Sequence, residues 1–165
     1  LKTLFLVRHA KSSWDEPDLP DVERPLNDRG RRAARKMGRR LARRDANPDL
    51  VLSSPAIRSL KTARIMARRL GYPRRKILLS PRLYACSANE LLHTVRTLDD
   101  RFDAVMMVGH NPEMTLFAQR LGASIAHMPT CAVARFTFDL TSWAQVDRLA
   151  STKTEFDYPK RGKRE

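Results

Sequence analysis

The run DAVMMVGHNP, residues 103–112, constrains the fold more than any other stretch of the chain. Residues 104–108 are apolar without alternation, which suits a short strand covered on both faces. Three other stretches share that form. Residues 2–7 (KTLFLV), 50–52 (LVL) and 76–80 (KILLS) read as strands, and each is followed by a segment with helical periodicity. In LNDRG, Asn27 or Asp28 is a suitable helix cap, and Ala34, Met37, Gly38 and Leu41 then recur at helical spacing. After the second strand, Ser53 or Ser54 reads as a cap, Pro55 as the first helical residue, and Leu60, Ala63, Ala67 and Leu70 as the buried stripe. A third helix is expected over about 87–98, and Asn111–Pro112 reads as the cap and first residue of a fourth. The stretch AVARFTFDL alternates instead, as a strand nearer a sheet edge does, and is expected to pair with residues 144–150.

Strand alternating with helix, and apolar strands, predict a three-layer α/β/α sandwich with a mostly parallel central sheet. No repeat or linker divides it. Residues 1–158 read as one domain and 159–165 as a basic tail without an apolar anchor, expected to be mobile.

Composition narrows the class. No apolar run is long enough to cross a membrane, and the first seven residues are too short and poorly flanked for a secretory signal. Cytoplasm is the expected compartment, and Cys86 and Cys131 fit a reducing one. The two cysteines form no CxxC pair or zinc spacing, so neither a metal nor another cofactor is expected. Lys and Arg number 32 against 18 Asp and Glu, a net charge of +14. That field draws phosphates, acidic proteins and nucleic acid alike. The Arg-rich arc of the first helix reads as a solvated face rather than a dedicated binding surface.

In open α/β sheets ligands bind beyond the carboxyl ends of the strands. Arg8 and His9 follow the first strand, Arg58 lies one turn into the helix after the second, and His110 follows the fourth. If these strands are neighbours, two arginines and two histidines meet on one rim. Paired guanidiniums clamp the oxygens of a phosphoryl group. A neutral imidazole between them can attack phosphorus, and the second, if protonated, can donate to the equatorial oxygens. Metal is not required, because the arginines neutralise the group. His93 and His127 read as structural, and Cys86 as a small filler residue.

The segments LVRHAKSSWD, LSSPAIRSLKTA and VGHNP resemble, in order, the signature segments of the histidine phosphatase superfamily, whose fold is phosphoglycerate-mutase-like. RHAKS and RPLNDRGRRAA are most similar to the small SixA-type phosphohistidine phosphatases. The resemblance implies a cofactor-free phosphatase in which His9 becomes phosphorylated and Arg8, Arg58 and His110 complete the pocket. Ala10 replaces the usual glycine after the RH pair. Mutase-like members carry an acid after the third strand, whereas here no carboxylate follows until Glu90; Asp15 stands where they tend to have asparagine. Without a strong acid a sugar alkoxide leaves badly, while an imidazole leaves readily.

The expected substrate is therefore phosphohistidine, in a protein or as a small phosphoramidate, handled by a monomer without membrane or nucleic-acid partners. Two alternatives stand beside it. One is a broad phosphomonoesterase whose proton comes from Asp15, Tyr84 or Glu90. The other is a basic nucleic-acid or anion-binding module without catalysis, against which the lack of aromatic-interleaved basic segments counts.

Overall fold

The computed structural model describes residues 1–147 and 151–162. Six strands form one sheet: β1 (Lys2–Arg8), β2 (Leu50–Ser53), β3 (Leu78–Leu79), β4 (Ala104–Gly109), β5 (Val133–Phe138) and β6 (Ser151–Asp157). Their order is β3-β2-β4-β1-β5-β6. The first four run parallel, and β5 and β6 add an antiparallel edge.

Strand pleating divides the core between two faces. Phe5, Val7, Val51, Met106 and Val108 point toward α1 (Asp28–Arg43) and α2 (Ile57–Leu70), meeting Ala34, Met37, Leu41, Ala63 and Met66. Leu4, Leu6, Leu52, Val105 and Met107 point the other way, toward α3 (Ala88–Arg96) and α4 (Glu113–Arg120), where Leu91, Val95 and Phe117 wait. The architecture is the three-layer α/β/α sandwich that the pattern of elements predicts. No helix among the described residues is long and apolar enough to cross a membrane.

Several local expectations hold. Asn27 caps α1, its side chain accepting from Gly30 N, and Ala34, Met37, Gly38 and Leu41 are buried. Ser87 caps α3 in a reciprocal box with Glu90. Gly30 is required by close approach: a Cβ there would stand 2.9 Å from Lys11 N and closer to its carbonyl oxygen. The first turn of α1 can thus press on the chain leaving β1.

Others need correction. Helix α2 starts at Ile57 with Ala56 as its cap, not at Ser53 or Ser54, because the Ser54 side chain is turned inward. Its buried face holds Ser59, Thr62 and Met66, while Leu60 and Leu70 are only half-buried. Strand β3 has two residues rather than five; Arg74–Lys76 coils as a 3-10 turn, and the short edge leaves Leu78 and Leu79 exposed. Pro112 precedes α4 as its cap, and Asn111 Oδ1 accepts from Thr115 N and Oγ1. Strand β5 pairs with Ser151–Asp157, not with 144–150; Trp143–Gln145 form a 3-10 turn, and 148–150 lie outside the described residues. In the basic tail, Lys36 and Arg40 of α1 donate to the carbonyls of Pro159 and Arg161; residues 163–165 lie outside the described residues.

Candidate active site

Strand register builds the site. β1 and β4 pair in parallel with Arg8 opposite Gly109, so His9 and His110 leave the sheet side by side. Their ring centroids are 5.1 Å apart. On the other side of β4, Ser53 lies opposite Val108, which brings Ser54 out next to His110. Arg58 then reaches the same rim from the first turn of α2. All four residues named from sequence, Arg8, His9, Arg58 and His110, line one cavity of about 580 Å³.

A neighbour sets the tautomer of His9, and two hydroxyls face Nε2 of His110. His9 Nδ1 lies 2.7 Å from the carbonyl oxygen of Ala10, which can only accept. The proton therefore sits on Nδ1, and Nε2 keeps a lone pair. His110 Nε2 is 2.8 Å from Ser54 Oγ, and Ala56 N donates to that oxygen. Ser59 Oγ also lies 3.3 Å from Nε2, and since either hydroxyl can donate or accept, these contacts suit both neutral tautomers of His110.

Burial pushes the pKa of His9 down to about 3, against the pull of the Ala10 bond, and the charges of His110, Arg58 and Arg8 add to the depression. Burial, then the Arg58 charge, lowers His110 to about 4. Both rings are neutral near pH 7. A neutral His110 keeps one ring N–H, so it can be a donor without the second proton on which the expectation from sequence depends.

Two of the arginines are held by their outer nitrogens, while a third, Arg24, faces Asp21 through Nε. Arg8 Nη1 donates to Met128 O at 3.0 Å. Arg58 donates from Nη1 to Asp21 O at 2.6 Å and from Nη2 to Asp21 Oδ2 at 2.8 Å. Arg24 is 7% exposed, lies 3.4 Å from Asp21 Oδ1, and stacks on the Trp14 ring with Cζ 3.4 Å from its centroid. These anchors leave other donors unused. Among the described residues, six buried side-chain nitrogens or oxygens lack a hydrogen-bond partner. Five of them belong to this cavity: Arg8 Nε, Arg24 Nε and Nη1, Arg58 Nε and His110 Nδ1. Buried donors are normally satisfied, and a cluster of unsatisfied ones marks the place of an acceptor-rich ligand. A phosphoryl group, with its ring of anionic oxygens, fits that donor set.

Arg24, Asp21, Ser54, Trp14 and Glu113 were not assigned from sequence. Arg24 sits within RPLNDRG, but nothing there separates it from the chain's many other arginines. Glu113 follows His110 at a spacing of three on a helix start, which was a usable signal. Two carboxylates, Asp21 and Glu113, line the cavity, neither of them from the segment after the third strand, where no carboxylate precedes Glu90. Asp21 is held ionised: hydrogen bonds from Tyr84 and Arg58 lower it to about 2. Glu113 is buried, with Cys86 Sγ 3.9 Å from Oε2. Burial first, then the Glu113 charge, pushes the Cys86 thiol up to about 11.

Of the proton donors considered from sequence, Tyr84 lines the cavity and donates to Asp21 Oδ2 at 2.7 Å, a bond that raises its pKa. Asp15 lies on a different cleft, and Glu90 is occupied in capping α3.

Residues 4–91 match the family model of the histidine phosphatase superfamily, branch 1. An uncharacterized chloroplastic protein of Arabidopsis thaliana is 27% identical over 157 residues, covering 90% of this chain and 72% of that one. The crystal structure of the SixA protein from Agrobacterium tumefaciens superposes with a TM-score of 0.76 at 28% identity, over 84% of this chain and 92% of that one. The protein histidine phosphatase SixA complexed with tungstate has the same fold, with a TM-score of 0.78 at 22% identity and coverage of 98% and 99%.

Two outcomes test the electrostatics. Inorganic phosphate binding, followed by titration calorimetry, is expected to weaken about tenfold or more in Arg24→Ala, as loss of a charge-assisted contact requires, and to be unchanged in Arg101→Ala. Unaltered affinity in Arg24→Ala would remove Arg24 from the site. Secondly, the two histidines bind protons more readily unfolded (6.5) than folded (about 3 and about 4), so stability is lost as pH falls from about 6.5 through the folded values. Urea midpoints of His9→Asn should decline less over that window than those of the wild type.

Proposed function

This chain belongs to the histidine phosphatase superfamily, and within that family of phosphatases we propose that it hydrolyses phosphohistidine, in a protein or as a small phosphoramidate. The observation that carries the reading is the bare Nε2 of neutral His9, directed by its Ala10 bond, in a cavity with five buried nitrogens that lack a partner. The Agrobacterium tumefaciens relative is named for phosphohistidine, which supports the same substrate class.

The chemistry proceeds in two displacements. The phosphoryl oxygens take hydrogen bonds from Arg8, Arg24 and Arg58, whose charges neutralise the group without a metal. His9 Nε2 forms a bond to phosphorus as the P–N bond of the substrate breaks, and the electron pair goes to the departing ring nitrogen. A substrate ring protonated on its other nitrogen leaves as neutral imidazole, so no side chain has to deliver a proton. His9 then carries the phosphoryl group on Nε2 and keeps Nδ1–H on the Ala10 carbonyl, a bond that strengthens as the ring becomes cationic. Water attacks phosphorus in the second step. Its oxygen forms the new P–O bond, Nε2 recovers its electron pair, and dihydrogen phosphate leaves with both water protons. In the tautomer with its proton on Nδ1, His110 donates to a phosphoryl oxygen and counters the charge shift in both displacements.

Asp21, held ionised at about 2, cannot supply the proton an alkoxide needs. One observation favours the broad phosphomonoesterase: Glu113 is a second carboxylate on the cavity wall. If it protonates the leaving oxygen, alkyl phosphates become substrates.

A substrate panel decides between the readings. Phosphohistidine peptide and phosphoramidate are expected to exceed simple alkyl phosphates in kcat/KM by about a hundredfold or more, the scale of one missing general acid. His9→Ala abolishes all turnover, and Glu113→Gln leaves phosphohistidine turnover near the wild-type rate. Comparable rates on both substrate classes, with ester hydrolysis lost in Glu113→Gln, would establish the phosphomonoesterase instead.

A further inference from the structure

A second cavity, of about 430 Å³, runs beside the first between α1 and the segment that follows β6. Five cations line it: Lys11, Arg29, Arg32, Lys36 and Lys160. No carboxylate does, and Ala33, Pro129, Tyr158 and Pro159 supply a less polar floor. Lys11 and Thr130 belong to both cavities, so the basic groove opens into the phosphate pocket.

The cluster is not a mere by-product of an arginine-rich chain. Three basic residues near it are paired: Arg31 with Asp28, and Asp157 receives Arg40 Nη1 at 3.3 Å and Arg44, just beyond the helix, at 3.1 Å, whereas no ion pair joins Arg35, Arg39 or Arg43 to another described residue. Along the groove, no ion pair or side-chain hydrogen bond joins Lys11, Arg29, Arg32 or Lys160 to another described residue, and Lys36 donates to Pro159 O. Arg29, Arg32 and Lys36 stand at i, i+3 and i+7, one stripe of like charge along the helix. Like charges at this spacing destabilise a helix. Arg29 adds a cation in the first turn, where the helix dipole disfavours one. An anionic partner offsets both penalties.

We propose that this groove docks an acidic segment of a phosphoprotein substrate, flanking the phosphohistidine that enters the neighbouring pocket. The proposal rests on the phosphohistidine reading of that pocket. A carboxylate-bearing peptide lies against the stripe with its apolar side chains on Tyr158 and Pro159, and the shared wall at Lys11 and Thr130 sets the distance to the phosphoryl group. The attraction raises the encounter rate and lowers KM for a protein substrate, and a small phosphoramidate gains nothing from it.

The test is Arg29→Glu/Arg32→Glu, a double variant on exposed helix positions outside the phosphate pocket. For a phosphohistidine protein with acidic flanking residues, KM is expected to rise about tenfold or more with kcat kept, as for reversal of steering charges. Turnover of phosphoramidate stays within about twofold, and high salt removes the difference between the proteins. Equal losses on both substrates, or no loss on the protein, would overturn the docking role. Fluorescence anisotropy of a labelled Asp/Glu-rich peptide reads the groove without catalysis: wild type binds it and the double variant does not. If the wild type binds that peptide yet turns over no phosphohistidine, the catalytic reading fails and the groove stands. If it prefers a single-stranded RNA oligonucleotide to the peptide, the groove is a nucleic-acid site and the proposal fails.

Discussion

Everything in this structure depends on crowding positive charge around His9 without letting His9 take a proton. Three guanidiniums line the cavity, and burial, reinforced by the charges of Arg58 and Arg8, holds both imidazoles far below the usual histidine range. A protonated His9 would have no lone pair to give, so the depression is what the proposed nucleophilic attack on phosphorus requires. Arg8 and Arg58 are anchored at their outer nitrogens, by Met128 O and by Asp21, and the Nε of each has no hydrogen-bond partner; Arg24 instead faces Asp21 through its Nε. Asp21 is the counterweight. Its exposed carboxylate balances part of the charge while staying ionised itself.

The sheet supplies the precision. Parallel pairing of β1 with β4 and of β4 with β2 sets three strand ends in line, so His9, His110 and Ser54 are spaced by backbone hydrogen bonds rather than by flexible side chains. His9 N donates to Gly109 O, and Ser54 N to Val108 O. Thr62 fastens α2 to the same rim, accepting from Ala10 N and donating to Arg58 O. A change of register by one residue would send these groups to opposite faces of the sheet. Fold and site are thus one object, and the apolar strands that specify the fold also fix the spacing of the polar residues beyond them.

That connection is why His9, His110 and Arg58 could be read from sequence: each stands at a fixed distance from an apolar run, and the run locates it. Where recognition depended on how loops pack, the sequence was silent. Arg24 is one arginine among many until Trp14 covers it and Asp21 faces it, a meeting of residues on an irregular segment. Ser54 looked like a helix cap because Ser-Ser-Pro has the chemistry of one; its hydroxyl turns to His110 instead. The partner of β5 was misplaced because residues 144–150 and Ser151–Asp157 both have strand-like composition, and only the ladder distinguishes them. Glu113 has a weak signal, its place three residues after His110, which competes with the ordinary reading of a glutamate in a helix's first turn as a dipole partner.

The central claim is that His9 Nε2 itself receives the phosphoryl group, and rapid quenching into alkali, where phosphohistidine survives, tests it most directly. Peptide mapping by mass spectrometry of protein quenched during turnover of phosphoramidate should locate a single added phosphoryl group on His9. A label on His110 or on any other residue, or steady turnover by His9→Ala, would contradict the account.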